Sequence, residues 1–577
     1  MGSEMCIRDS ARTVLGAVLG ALLLAGCSTV PSSSPTVQIT KVAERQSSDV
    51  GIEAPAPERG QTPEEIVRGF IDANASTARN HPVARQYLTR DAARTWSDAD
   101  GVTVVESGYA AVPADGGTVQ VTGDLAGTVD QRGVFAVGGG QAYARTFTLV
   151  KQSGEWRIAD PPDGLVLAQP DFARTYDQLD VYFLDPTGTR LVPDPRYLVS
   201  GSGQLSSLVD RLLAGPSPGL TAGVVNALAG ATLRSNVTVD ARTAAVDLTG
   251  LPEPSEATAA GLSAQLVWTL SQLEVGSVRV TIDGQPVPQR PPLQTENDFA
   301  SLDPDPAPVD AVGHYLSGGA LFRVDGTRAP GPAGDGAYGL TSAAVSTDPR
   351  TGALGNVVAV SGTDGQSTLW TGSYGQALTS VLTGSSFTPP STAITRTEAW
   401  TVRDGHDVIR VPAGGPPQTV TAPTLPGLGR VTQLQLSPDG VRVAAVVDDG
   451  SSSAGQLYVG TVVREQDTVT IRDLRSIAPT LRRVADVGWR NAGTLMLLAA
   501  DPGQRGEVPY SVDVDGWDLT PVSTAALPQG TPTSLAAAPT RDPLLSVNNT
   551  IWQLQGGTWV TPVRGSQLAG DAPFYPL

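Results

Sequence analysis

Leu434-Gln435-Leu436-Ser437-Pro438-Asp439-Gly440 is an alternating strand end that runs into a Ser-Pro-Asp-Gly turn, and a second apolar run, Val441-Arg442-Val443-Ala444-Ala445-Val446-Val447, follows at once. Proline presets one turn dihedral, glycine accepts a left-handed one, and the Ser and Asp side chains bond their own backbone. The stretch therefore reads as the tight turn at the edge of a β-hairpin. The same text recurs on both sides of it. Upstream, Gly318-Gly319-Ala320-Leu321-Phe322-Arg323-Val324 opens the series; strand-like runs at 344–347, 357–361 and 368–371 form one group, and 398–402 with 408–411 another. Downstream lie 456–461, then 484–490 with 494–499, then 533–538 with 544–547 and 551–554. The groups return at a spacing of roughly 40–50 residues, the range of propeller blades. Residues 310–577 then read as an all-β propeller-like domain of about five to seven blades, whose closure would leave no long open strand edge.

Before this domain, residues 291–309 form a Pro-rich linker. Residues 178–290 alternate strands with helices. Val181-Tyr182-Phe183-Leu184 is a strand and 190–197 another; Leu205, Leu208, Val209, Leu212 and Leu213 mark an amphipathic helix that stops at Gly215-Pro216; 256–273 is a longer helix between strands at 244–248 and 278–282. This α/β order resembles the GerMN domain, and Leu212-Leu213-Ala214-Gly215-Pro216, Val246-Asp247-Leu248 and the 265–273 helix carry the resemblance. Trp268 on that helix reads as a core residue. Residues 62–170 begin with Thr62-Pro63-Glu64-Glu65, a capping box with proline at the first helical position, ahead of Ile66, Val67, Phe70 and Ile71 at helical spacing. A second helical stretch is expected over 82–96, then strands over 102–107, 118–122, 134–137, 143–150 and 155–159. Helices followed by a curved antiparallel sheet resemble an NTF2-like α+β cone. The fold class expected is thus multidomain: an α+β cone, an α/β GerMN-like domain and an all-β propeller.

The 577 residues carry a net charge of −18, which excludes nucleic-acid binding through bulk electrostatics. Only two cysteines occur, Cys6 and Cys27, so neither a disulfide framework nor a zinc cluster can be built. An apolar run over 13–25 follows Arg12 and is short for a bilayer-spanning helix. It ends in Leu24-Ala25-Gly26-Cys27, which resembles the bacterial lipobox: the Cys27 thiol takes the lipid and the signal peptide, residues 1–26, is cut before it. Acidic Glu4 and Asp9 stand where such a leader is ordinarily basic, which bears on the start of translation and not on the lipobox. Residues 27–61, rich in Ser, Pro, Ala and Thr, read as a lipid-anchored tether. The implied location is the outer face of the cell membrane.

No catalytic residues, metal ligands or cofactor motif emerge. His81, His314 and His406 stand far apart, there is no Gly-x-Ser-x-Gly elbow, and no phosphate loop is present. Asp513-Val514-Asp515-Gly516 lacks the outer ligands of a calcium loop and reads as a strand turn; Asp303-Pro304-Asp305 and Asp448-Asp449-Gly450 read as solvated turns. Six tryptophans of the propeller region, Trp370, Trp400, Trp489, Trp517, Trp552 and Trp559, are explained mostly by packing within blades, although exposed aromatics also serve glycan binding.

The parts in this order resemble the LpqB-type lipoproteins of actinobacteria over nearly everything after Cys27. His81-Pro82-Val83-Ala84-Arg85-Gln86-Tyr87-Leu88-Thr89, Leu184-Asp185-Pro186, Arg190-Leu191-Val192-Pro193-Asp194-Pro195, Gln265-Leu266-Val267-Trp268-Thr269-Leu270 and Phe574-Tyr575-Pro576 carry the match. The resemblance implies an accessory of the MtrA–MtrB two-component system that binds the extracellular domain of the sensor histidine kinase and alters cell-wall growth and division. The alternative is an envelope binding protein or propeller hydrolase acting on a cell-wall glycan or peptide. A row of tryptophans along the propeller channel would favour that alternative.

Overall fold

The computed structural model describes residues 55–201, 203–305, 312–348, 351–363, 365–394, 396–451, 455–466, 468–503 and 506–577. The lipobox Leu24, Ala25, Gly26 and Cys27, and the tether as far as residue 54, lie outside the described residues.

The first region starts where the capping box sets it. In α1 (Pro63–Asn74), the Thr62 hydroxyl accepts from the Glu65 amide and Glu65 accepts from the Thr62 amide at 2.7 Å. Ile66, Val67, Phe70 and Ile71 are buried. The single helix expected over 82–96 is instead a short 3-10 turn, Ala84–Tyr87, and a separate α2, Arg90–Thr95. The break falls at Leu88-Thr89, because Leu88 bridges to Ile158 of the sheet and Thr89 turns to cap α2 through the Ala92 amide. The sheet has seven strands: β1 (Val102–Val105), β2 (Ala110–Ala114), β3 (Thr118–Val129), β4 (Phe135–Val137), β5 (Ala142–Gln152), β6 (Glu155–Asp160) and β7 (Leu165–Ala168). All pairs are antiparallel except β1 with β7.

Helix α3 (Gln169–Thr175) leads without a linker into a long hairpin, β8 (Tyr176–Leu184) and β9 (Leu191–Val199), paired along its whole length. After α4 (Gln204–Leu213), strands Thr243–Thr249 and Ser277–Ile282 pair in parallel, and α5 (Glu256–Ser271) crosses between them. Helix α5 is buried on most of its circumference, lying under both the hairpin and the parallel pair. Gly261 lets it approach the hairpin: a Cβ there would meet the Leu184 side chain at 2.7 Å.

From His314 onward the described strands make six antiparallel sheets. Their innermost strands, Asp571–Phe574, Leu340–Thr347, Ser391–Ala393, Arg430–Leu436, Arg482–Trp489 and Pro532–Ala536, each touch the next, and the last touches the first. A six-bladed ring results. The terminal strand Asp571–Phe574 completes the blade opened by His314–Ser317 and Ala320–Arg323, so the two ends of the domain are tied by a backbone ladder. The described residues form one compact unit.

Candidate functional site

Strand β9 is the place where the three regions meet, and its sequence shows why. Arg190-Leu191-Val192-Pro193-Asp194-Pro195-Arg196-Tyr197 lacks the polar–apolar alternation of a half-exposed strand, and every residue from Leu191 to Leu198 is buried. One charged pair lies inside it. Arg196 reaches Asp194 at 3.0 Å with both side chains buried, and also donates to the Gly215 carbonyl; the Ser217 amide donates to Asp194. Burial pushes the Asp194 carboxyl up, but Arg196, the Ser217 bond and Arg442 outweigh it and hold the group below the ordinary range.

The turn Ser437-Pro438-Asp439-Gly440 leads into Val441 and Arg442, which lie against this strand. Ser437 and Asp439 are fully buried, so the Ser-Pro-Asp-Gly turn is no exposed blade edge. It fixes Arg442, whose guanidinium donates to the Pro193 carbonyl at 2.5 Å. Among the described residues β9 pairs with β8 alone, so its other edge has no strand partner, and a buried carbonyl needs a donor. The neighbouring blade strand supplies a second one: the Thr461 hydroxyl donates to the Gly219 carbonyl at 2.6 Å. Val192, Leu220 and Val441 close over these bonds.

The next blade contributes the strand turn Asp513-Val514-Asp515-Gly516, which functions as a domain clamp. Tyr197 donates to Asp515 at 3.1 Å, and the Trp517 amide donates to the same side chain. Trp517 packs edge-on to Phe135 and Phe172, with centroids 5.2 and 5.1 Å away, and to Tyr197 at 5.9 Å. It therefore joins the propeller to the N-terminal region, unlike Trp400, Trp489 and Trp559, which are buried among the strands. Asp305, expected in a solvated turn, is instead drawn into the seam and accepts the Ala492 amide at 2.8 Å. The Asp448-Asp449-Gly450 turn is local: Asp448 accepts from Gly450, and Asp449 from Ser451.

Two further openings are lined by no residue of β9. The propeller channel is narrow, about 120 Å³, with Ser342, Thr392, Gln435, Asp486 and Ser534 on its wall. Among the described residues its only aromatic lining is Phe574 and Tyr575, and none of the six tryptophans lines it. Asp486 accepts the Val487 and Leu535 amides and stitches two blades; burial raises its carboxyl to about 7. The other opening is a groove of about 810 Å³ beside the start of α5, lined by Leu184, Val225, Leu251, Pro254, Phe299 and Arg290.

The histidines serve separate structural roles. His81 bonds Asp98 at 2.7 Å, Arg85 reaches the same carboxylate, and Arg85 lies over Trp96; the motif around His81 thus pins the turn before α2. His314 is buried beside Phe574 and Tyr374, and His406 is exposed. Trp268 is half-buried and packs on Tyr182. Among the described residues no three His, Cys, Asp or Glu side chains gather as metal ligands. No helix among them is long and apolar enough to cross a membrane.

These features define a multidomain, mostly β protein in which a propeller is clamped to two smaller mixed domains. Family models match in the same order: "Lipoprotein LpqB, N-terminal domain" over residues 56–173, "Sporulation and spore germination" over 180–288, and "Lipoprotein LpqB beta-propeller domain" over 319–576. Lipoprotein LpqB of Mycolicibacterium smegmatis is 35% identical, over 86% of this chain and 87% of its own. Its counterpart in Rhodococcus opacus is 32% identical over 89% of each chain, and that in Mycobacterium tuberculosis 33% over 92% of each. The chain belongs to the LpqB family of lipoproteins. Solved structures resemble it only in part. TolB of Acinetobacter baumannii has a TM-score of 0.29 at 12% identity, covering 48% of this chain and 69% of its own. The tandem GerMN domains of Bacillus subtilis GerM have a TM-score of 0.16 at 16% identity, covering 21% and 48%.

Proposed function

We propose that this lipoprotein is held by a lipid on Cys27 at the outer face of the cell membrane, where it binds the extracellular domain of a sensor histidine kinase and shifts its signalling. The observation that carries the reading is the seam around β9. Buried charges and aromatic rings from all three regions meet there, so the regions present their outer faces as parts of one body. A body of that kind suits recognition. The lipid confines it to the kinase's own membrane, which raises the effective concentration, so that a modest affinity suffices. To change signalling it must bind one kinase state better than the other.

Titration of the mature chain with the purified extracellular domain of the kinase from the same organism tests this, read by calorimetry. Saturable binding is expected; no complex at high concentration sinks the proposal and turns attention to cell-wall fragments. The anchor is tested by Cys27→Ala, which should release the protein from the membrane fraction. The second reading, a propeller site for a cell-wall glycan, loses its main support because the channel wall carries no tryptophan.

A further inference from the structure

A small cavity of about 90 Å³ lies inside the seam, and three carboxylates from three different elements line it: Asp180 of β8, Asp305 of the linker, and Asp513 of the strand Val508–Asp513. Gln178, Tyr182, Pro193, Asn491 and Thr494 also lie on the wall. No residue of this set belongs to the ion pair or the aromatic cluster that holds the seam elsewhere. Asp305 is tied to the propeller by the Ala492 amide, and Asp513 accepts the Thr494 hydroxyl on the cavity wall.

We propose that this cavity makes the junction between the GerMN-like domain and the propeller a pH-sensitive joint, closed while the three carboxyls are protonated and loosened when they ionise. Like charges on opposite walls of so small a space repel in a medium of low dielectric, and each loses hydration it cannot regain there.

The surroundings support this. Burial lifts Asp180 to about 7, and Asp194, Asp305 and Asp513 add to the rise while Arg442 opposes it. Burial likewise lifts Asp305 to about 6, with Asp439 and Asp303 adding to it. Asp513 rises to about 6 through burial and the Asp515 charge, with Asp518 adding to it. The cations near the joint are already engaged. Arg442 serves the Pro193 carbonyl, and Arg475 donates to the Val514 carbonyl beside Asp515. Arg190 donates to the Asp303 carbonyl, and Arg196 is paired with Asp194. Tyr182 and Tyr197 are pushed above the ordinary phenol range by burial and stay neutral throughout. Carboxyls whose folded values are raised stabilise the closed joint below their unfolded value near 4. They release it as pH rises through 6 to 7.

Hydrogen exchange of the full mature chain in detergent, corrected for the intrinsic pH dependence of exchange, tests the joint. Between pH 5.5 and 8, peptides covering 191–199 and 508–513 should lose protection at least threefold, while the remote strand Leu354–Thr363 keeps its own. The double variant Asp180→Asn, Asp513→Asn should show the same seam protection at both pH values. Should that variant fail to fold, Asp305→Asn alone should reduce the fall. A change under threefold at the seam, an equal loss in the remote strand, or a variant that folds and retains the full fall overturns the proposal.

Discussion

The propeller is held in two places, and they are built differently. Its ring is closed by a backbone ladder between His314–Ser317 and Asp571–Phe574, reinforced where Leu577 and Val345 pair. Side chains there need only fill space: His314 stacks on Phe574 at 5.4 Å and bonds Tyr374 at 2.8 Å. The seam to β9 joins a strand face and loop carbonyls to the blades, and among the described residues no ladder crosses it. Carbonyls such as those of Pro193 and Gly219 therefore require side-chain donors, and Arg442 and Thr461 provide them. A ladder satisfies its own polar groups; a docked face must import charge to do so, and buried charge makes it sensitive to single substitutions and to pH.

The largest expected effect is at the seam. Arg196→Ala strands the Asp194 carboxylate in a buried site and should cost roughly 3–5 kcal/mol in denaturant unfolding. Replacing Arg196 and Asp194 together by apolar residues of similar size should cost less than the single change. If the single variant unfolds like the parent, the seam does not depend on paired charge.

The ring closure should respond to pH with the opposite sign to the joint. Burial lowers His314 to about 4, so the folded state holds it neutral. Its contribution is present above the unfolded value of 6.5 and is lost as pH falls toward 4, by up to about 3 kcal/mol. Thermal unfolding of His314→Gln should show a flatter acid limb than the parent; an unchanged limb would place acid sensitivity elsewhere.

Trp517→Ala should cost about 2 kcal/mol, less than a fully buried tryptophan because the ring is only half-buried. It should also raise proteolytic nicking between the propeller and its neighbours more than Trp559→Ala does, since Trp559 packs within the propeller. Smallest is Thr62→Ala, which removes the α1 cap and should lower stability by about 1 kcal/mol with no effect on the seam. A larger loss would mean that α1 carries more of the assembly than its cap geometry indicates.

Much of this architecture is legible residue by residue. The α1 cap, the amphipathic α4, the crossover α5 and the strand–turn recurrence of the blades all follow from local spacing and turn chemistry, which act over a few neighbours. The broken helix at Leu88-Thr89 does not, because its cause is a sheet partner seventy residues away, Ile158. The acidic turns at Asp305 and Asp515 have the composition of solvated loops, and no local signal separates those from turns that a second domain covers. One clue was present: β9 carries Asp194 and Arg196 in a run with no polar face, the mark of a strand buried on both sides.

Local pattern thus decides the kind of each region, because helix periodicity, turn residues and blade spacing are properties of contiguous chain. The number of blades, the ring closure and the seam are decided only when the chain is folded in three dimensions. They depend on which buried polar groups find partners across hundreds of residues, and that pairing leaves no period in the sequence.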